Sequence, residues 1–340
     1  MAETRVAFVT HGGAAVGFGH VKRCVALARS FACADARITF FVSPDPSASA
    51  AIRRAGFEVA EVSWETDGTA ALGRVKAFGT DVVVVDSYVA SAVFMESLRL
   101  VAGQVVAVDD LADRPLPVHV VVNGGLGAER LSYRGAPDTM FLLGSRYALV
   151  DPGYAEAPTR SIRQSIRRVF LSLGGGAHDA ALRTALGAVD AVLDGVTIDV
   201  ALGAASVVDL GAAPGRQGNR VVVHRGLPEL RDLMLGSDLA IAGAGMTLYE
   251  LAATGTPTVT ITMVGNQRAN AEAFDRAGAA LDAGSVDGAS LRTALESHLR
   301  CLAGDGARRA ELGRRARSLI DGRGALRVAQ ETARIVGSTR

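Results

Sequence analysis

Short unbroken runs of apolar, mostly β-branched residues recur along this chain. Between them, apolar positions return every three or four residues. In the first half the runs fall at Val6–Thr10, Ile38–Val42, Val82–Asp86 and Val105–Asp109. They lack the alternation of a half-buried strand, so they predict strands covered on both faces. After the first run, Val21, Cys24, Val25, Ala28 and Phe31 share one helical face. The second half repeats the rhythm, with strands expected at Val169–Leu173, Ile198–Leu202, Val221–His224, Leu239–Ala242 and Thr258–Ile261. Helices are expected over Asp179–Leu193, Thr247–Thr254 and Gln267–Ala277. Strand–helix alternation in both halves predicts two doubly wound α/β domains facing one another, with a ligand crevice at the carboxyl ends of their strands.

The expected division places one domain at residues 1–150 and a second at 167–320. Residues 151–166, with Pro152 and Pro158, suit a linker. The tail Ala307–Val336 reads as two helices broken near Gly322–Gly324, and residues 321–340 are expected to form a closing helix that packs across the domains.

Composition narrows the function classes. A chain of 340 residues, 49% apolar and 21% charged, is globular and long enough for two cores. Its net charge of +1 gives no electrostatic footprint for nucleic acid. Arg160, Arg163, Arg167 and Arg168 cluster, and are read as a solvated linker. Cys24, Cys33 and Cys301 form neither a disulfide framework nor a zinc pattern, and Cys24 is read as a small core residue. No signal-like leader or bilayer-length apolar run is present, which leads to the expectation of a cytoplasmic protein without a transmembrane segment. Nothing in the sequence specifies an oligomeric partner.

The candidate chemistry begins at Gly17-Phe18-Gly19-His20, where a glycine-rich turn hands the first strand to a helix. An imidazole at a helix N-terminus stands where anionic groups bind, and it titrates near neutral pH. The bland reading is a locally satisfied histidine; the surrounding glycines, entropically costly, favour the functional one. His11 in the same loop is open between a substrate contact and a surface residue. Asp86-Ser87-Tyr88 ends a buried strand and is read as near the site, with helix capping as the alternative. Asp109-Asp110 could suggest a metal, but lacks a third ligand. A dinucleotide fingerprint fails at Lys22 and again at Leu248, and a Walker lysine is absent. The turns Gly174-Gly175-Gly176 and Gly243-Ala244-Gly245 could hold a diphosphate on backbone amides. Met246 and Thr247 open the next helix, where Glu250 could accept ribose hydroxyls or simply complement the helix dipole. Asn266-Gln267 starts another helix, where an N-cap is the ordinary role. His178 follows a glycine turn, while His119, His224 and His298 have no comparable context.

Taken together, Gly17–Arg23, Asp86–Tyr88, Asp109–Arg114, Leu143–Leu149, Leu173–Gly175, Asp238–Glu250 and Asn266-Gln267 resemble a known family in the same order. The chain is similar to the nucleotide-sugar hydrolases of pseudaminic acid biosynthesis and the related spore-coat polysaccharide proteins, which are relatives of GT-B glycosyltransferases. The resemblance implies the GT-B fold, two Rossmann-like domains across a cleft. It implies release of UDP from a UDP-diacetamido-trideoxyhexose by inverting attack of water, in nonulosonic acid or surface-polysaccharide synthesis. His20 would handle the attacking water, with Tyr88 and Asn266 in the same catalytic site and Glu250 near the ribose. Gly17, Gly19, Arg23, Gly174, Gly175, Gly245, Met246, Thr247 and Gln267 would complete the substrate site. No metal or organic cofactor is expected, since helix N-termini and glycine-loop amides can stabilise departing UDP. Where the family carries Arg-x-Asp-x-Ser, this chain reads Thr10-His11-Gly12-Gly13-Ala14-Ala15. A changed loop could admit an alcohol in place of water, making a glycosyltransferase the alternative. A non-catalytic nucleotide-sugar-binding module is a second alternative, against which the retained His20 argues.

Overall fold

A computed structural model describes residues 3–13, 16–66, 68–174, 178–204, 206, 208, 210 and 218–339. The chain divides into two compact units, Met1–Gly153 with Gly322–Arg340, and Tyr154–Asp321.

The first unit runs β1 (Arg5–Thr10), α1 (Gly19–Ala32), β2 (Arg37–Val42), α2 (Pro46–Arg54), β3 (Glu58–Glu61), α3 (Gly68–Phe78), β4 (Val82–Asp86), α4 (Ala92–Arg99), β5 (Gln104–Val108), β6 (Pro115–Leu116), β7 (Val120–Asn123), β8 (Arg134–Gly135) and β9 (Met140–Leu143). Its main sheet has the order β3-β2-β1-β4-β5-β7-β9 with parallel pairing throughout. Val6, Phe8, Val82, Val84 and Val106 pack on one face against Val21, Cys24 and Leu27 of α1. Ala7, Val9, Val83, Val85 and Val105 pack on the other against Val75 of α3 and Met95 and Leu98 of α4. Both faces are covered, which is why these strands read as unbroken apolar runs. The strand order reverses between β1 and β4, so the loops that follow them diverge and leave a crevice at their carboxyl ends.

Backbone conformation fixes the loop after β1. Gly13 and Gly17 exchange two main-chain hydrogen bonds of 3.1 and 2.8 Å. Gly13 has φ +131°, and a Cβ there would lie 2.0 Å from a carboxylate oxygen of Asp45. That carboxylate is already committed, capping α2 by accepting from the amides of Ser47 and Ala48 at 2.9 Å each.

The second unit runs β10 (Arg168–Ser172), α5 (Asp179–Val192), β11 (Thr197–Leu202), β12 (Arg220–Arg225), α6 (Arg231–Gly236), β13 (Leu239–Gly243), α7 (Met246–Ala253), β14 (Thr258–Thr262), α8 (Arg268–Arg276), β15 (Leu281–Ser285), α9 (Leu291–Ala303) and α10 (Gly306–Leu319). Its parallel sheet has the order β12-β11-β10-β13-β14-β15. Val169, Leu171, Ile198, Val200 and Ile241 pack with Leu182 and Val189 of α5 and Leu295 and Leu299 of α9. Here the order reverses between β10 and β13.

One expectation changes. The arginines read as a solvated linker are tied down. Arg160 donates to Met234 O at 2.5 Å, to Thr256 Oγ1 at 2.8 Å and to Ser237 O, while Arg163 pairs with Asp238 at 2.8 Å. Arg168 grips the buried Asp199 at 2.9 and 2.7 Å, and Arg167 gives its main-chain amide to Asp238. The fully buried Arg309 donates to the carbonyls of Arg163 and Gln164 at 2.7 and 2.8 Å. Their partners lie far along the chain, so local sequence gave no sign of them. The last helix, α11 (Gly324–Thr339), belongs to the first unit. Its Ala325, Val328 and Ala329 join the core around α1.

Candidate active site

The crevice between β1 and β4 holds a buried ionic network. Thr10 and Asp86 are register partners at the ends of these strands, and Thr10 Oγ1 donates to Asp86 O at 3.0 Å. Asp86 is fully buried. His20, the second residue of α1 and 5% exposed, places Nδ1 2.6 Å from Asp86 Oδ1. Arg23, one helical turn on, donates Nε to Asp86 Oδ2 and Nη2 to Oδ1, both at 2.6 Å. Its Nη1 reaches Asp110 Oδ2 at 3.0 Å, which also accepts from the Tyr88 hydroxyl at 3.1 Å. The Tyr88 ring stands edge-on to His20, with centroids 4.6 Å apart.

The electrostatics fix the roles. Burial opposes ionisation of Asp86, but Arg23 and then His20 outweigh it and hold the carboxyl well below the usual carboxylate range. An ionised carboxylate only accepts hydrogen bonds, so it takes one from His20 Nδ1–H and fixes the tautomer of the neutral ring, in which Nε2 carries the lone pair. That is the arrangement of a base held in one tautomer by a buried acid. Burial, followed by the charge of Asp110, pushes the Tyr88 phenol up to about 12. Arg23, expected in the substrate site, pairs with Asp86 and Asp110. Gly17 has φ +85°, and added Cβ atoms at Gly17 and Gly19 would meet nothing within 4 Å among the described residues.

His11 is not a surface residue. It is 5% exposed, its Nδ1 lies 2.5 Å from Glu65 Oε1, and its ring centroid is 4.7 Å from that of His20. The acidic pair after β5 divides its duties. Asp109 Oδ1 accepts from the amides of Leu111 and Ala112 at 3.0 and 2.8 Å, a turn cap, while Asp110 joins the Arg23 network. No group of three or more His, Cys, Asp or Glu that could hold a metal occurs among the described residues.

In the second unit the expected residues follow β10, β13 and β14. Gly174 follows β10 with φ +95°, and a Cβ there would meet nothing within 4 Å among the described residues. Gly175 and Gly176 lie outside the described residues. Gly245 precedes α7, and a Cβ there would meet Gln267 Nε2 at 3.1 Å. The Gln267 Oε1 accepts from Met263 N at 3.1 Å, which holds the side chain against the turn. Met246 and Thr247 begin α7 half-buried, and Glu250 is buried one turn later. Asn266 is exposed in the short turn before α8, with no side-chain cap on that helix. His178 precedes α5 without a side-chain cap bond.

Several members were not identified from sequence. The sequence offers Asp86 only as near the site or as a cap, and Asp110 only as half of a candidate metal-binding pair; it gives Glu65 no role. Only the position of Asp86 at a buried strand's end hinted at its importance. His224, expected to be without context, lies 2.8 Å from Asp199, which Arg168 also holds.

No protein-family model matches the chain. It is 24% identical over 329 residues to the spore coat polysaccharide biosynthesis protein SpsG of Bacillus subtilis, covering 95% of this chain and 96% of that protein. An uncharacterised protein of Methanocaldococcus jannaschii is 23% identical over 274 residues, 76% of this chain. The match spans about half of that relative's length, 55%. Among solved structures, MurG of Acinetobacter baumannii superposes with a TM-score of 0.68 at 16% identity, covering 97% of this chain and 99% of that one. The glycosyltransferase SsfS6 of Streptomyces sp. SF2575, complexed with thymidine diphosphate, gives 0.61 at 14% identity, covering 97% and 100%. The chain therefore consists of two parallel-sheet, Rossmann-like α/β domains with the fold of the GT-B glycosyltransferases.

Proposed function

We propose that this protein is a glycosyltransferase of polysaccharide biosynthesis, transferring a sugar from a UDP-sugar donor to an acceptor hydroxyl. The observation that carries this reading is the Asp86-held His20 at the first unit's crevice, on a fold that matches glycosyltransferases along nearly the whole chain. Similarity to SpsG supports the polysaccharide context, and the thymidine diphosphate bound to SsfS6 supports a nucleoside diphosphate as leaving group.

In this reading the acceptor oxygen attacks the anomeric carbon as the bond from that carbon to the diphosphate oxygen breaks. The bonding pair leaves with UDP, and the acceptor proton passes to His20 Nε2. Asp86 stabilises the resulting imidazolium, and Arg23 keeps Asp86 ionised and in place. Attack opposite the leaving group inverts the anomeric configuration. Tyr88 lines the nucleophile's side. The second unit contributes Gly174, Gly175, Gly245, Met246, Thr247, Glu250, Asn266 and Gln267 to the nucleotide, with turn amides and the α7 N-terminus offsetting the diphosphate charge.

Hydrolysis, with water in the acceptor's place, is the second reading. It is favoured by the motif resemblance of Gly17–Arg23 and Asp109–Arg114. Incubation with a panel of UDP-sugars separates the two: UDP released only when an acceptor is present supports transfer, while stoichiometric UDP and free sugar without acceptor supports hydrolysis. Turnover by His20→Ala should fall roughly 10²–10⁴-fold in either case. Unchanged turnover would remove His20 from the chemistry.

A further inference from the structure

We propose that His11 is a second ligand-contacting imidazole of the β1–β4 crevice, its Nε2 accepting a hydrogen bond from a hydroxyl or amide N–H of the donor sugar. This rests on the nucleotide-sugar reading above.

His11 directly follows Thr10 at the carboxyl end of β1, where a doubly wound sheet presents its ligand-facing groups. Its surroundings hold it firmly. Nδ1 lies 2.5 Å from Glu65 Oε1, and the ring centroid is 6.0 Å from that of Trp64. Trp64 is itself fixed, its indole N–H donating to Thr10 O at 3.1 Å and its ring stacking on Phe94 with centroids 5.7 Å apart.

The Glu65 carboxylate assigns the Nδ1 proton as Asp86 does for His20, which leaves Nε2 of the neutral ring as an acceptor. That nitrogen is buried and has no hydrogen-bond partner among the described residues. Buried polar atoms are rarely left unmet without a functional cause. The complementary ligand atom is a neutral donor, an O–H or an amide N–H. The ring of His20, which takes up the nucleophile's proton, has its centroid 4.7 Å from that of His11, so the two imidazoles face the same part of the crevice. Its closeness to the base also names the part of the ligand it meets. A group this near the incoming nucleophile reaches the reacting sugar and leaves the nucleotide to other residues.

Two variants test the assignment. His11→Asn keeps an amide near the Nδ1 position for Glu65 and removes the Nε2 acceptor. His11→Gln carries an amide oxygen to the Nε2 position. For each, KM and kcat are measured with the UDP-diacetamido-trideoxyhexose, alongside the inhibition constant of UDP. We expect His11→Asn to raise KM roughly tenfold or more with little change in kcat and none in UDP inhibition, and His11→Gln to recover much of the loss. An unchanged KM, or UDP inhibition weakened in step with KM, would overturn sugar contact by His11 and leave the nucleotide-sugar reading intact. A kcat loss as large as that of His20→Ala at unchanged KM would overturn it in favour of His11 as the base. If the parent neither turns over this compound nor is inhibited by UDP, both readings fall together.

Discussion

Arg23 and Asp86 form a two-pronged ion pair, with both nitrogen–oxygen contacts at 2.6 Å and the carboxylate wholly shielded from solvent. Removing one partner leaves the other's charge buried without its counter-ion, which typically costs about 3–5 kcal/mol. Arg23→Ala should therefore lower unfolding free energy by about that amount in urea denaturation. Arg23→Lys should recover only part of it, since a single ammonium cannot reproduce the fork. A loss below about 1 kcal/mol in Arg23→Ala would show that water reaches the carboxylate.

Acid titration provides a second check. Asp86 has its pKa depressed in the folded state, with burial opposing the shift and Arg23 and His20 overcoming it. A depressed carboxylate contributes stability that is present above its unfolded value, about 3.9, and is lost as pH falls through the folded pKa. The parent should thus lose stability as the solution is acidified below about pH 4. Asp86→Asn should start less stable and fall less steeply over that window, as followed by urea midpoints at each pH.

Tyr88 titrates at the other extreme. Its phenol is pushed up to about 12 by burial and by Asp110. A raised phenol favours the folded state up to the unfolded pKa near 10, and the contribution disappears as pH rises toward the folded value. Tyr88→Phe should therefore show a shallower loss of stability between about pH 10 and 12, and one fewer late-titrating phenol by ultraviolet absorbance. Loss of one whole phenolate already at about pH 11 in Tyr88→Phe would mark an ordinary phenol and place Tyr88 outside this network.

Two glycines should respond in opposite ways. Gly13→Ala forces a left-handed φ of +131° on a side chain and drives its Cβ into the Asp45 carboxylate. Strain and loss of the α2 cap together predict a destabilisation on the order of 2 kcal/mol. At Gly245, φ is −96° and the added Cβ meets only the end of the Gln267 side chain at 3.1 Å. Gly245→Ala should leave the melting temperature nearly unchanged while raising KM for UDP-sugar, because the methyl would occupy space that the proposed mode of binding gives to the diphosphate. An unaltered KM would separate this turn from nucleotide binding.

Much of the fold was legible because the central strands are covered on both faces. Val82–Val85 and Val105–Val108 contain no polar residue, and only a doubly covered strand suits such a run. Of the strands outside the expected set, β7 is a wholly buried Val-Val-Val-Asn with a clear apolar signal, while two others are marginal. β3 is Glu-Val-Ala-Glu with no buried member, and β15 is Leu-Asp-Ala-Gly-Ser. Their pairing comes from the neighbouring strand, and their own composition carries little signal. In the site, the glycine turn announced His20. Its partner Asp86 lies 66 residues away, and Glu65 lies 54 residues from His11. Such pairings depend on which strands become neighbours, which residue type and local spacing do not encode. The second unit's Arg168, Asp199 and His224 were missed for the same reason: β11 separates β10 from β12 and carries the shared carboxylate.

The placement of α11 has a consequence for how the gene could be divided. The chain leaves the first unit after Gly153 and rejoins it at Gly322, where a Cβ on the nearby Gly324 would come within 2.2 Å of Ala148 O. In covalent terms the second unit is a guest spliced into its host. A truncation that stops at the host's exit discards Ala325, Val328 and Ala329 and strips an apolar wall from the helix that bears His20. Any attempt to express the histidine-bearing half by itself therefore has to excise the guest and suture the flanks.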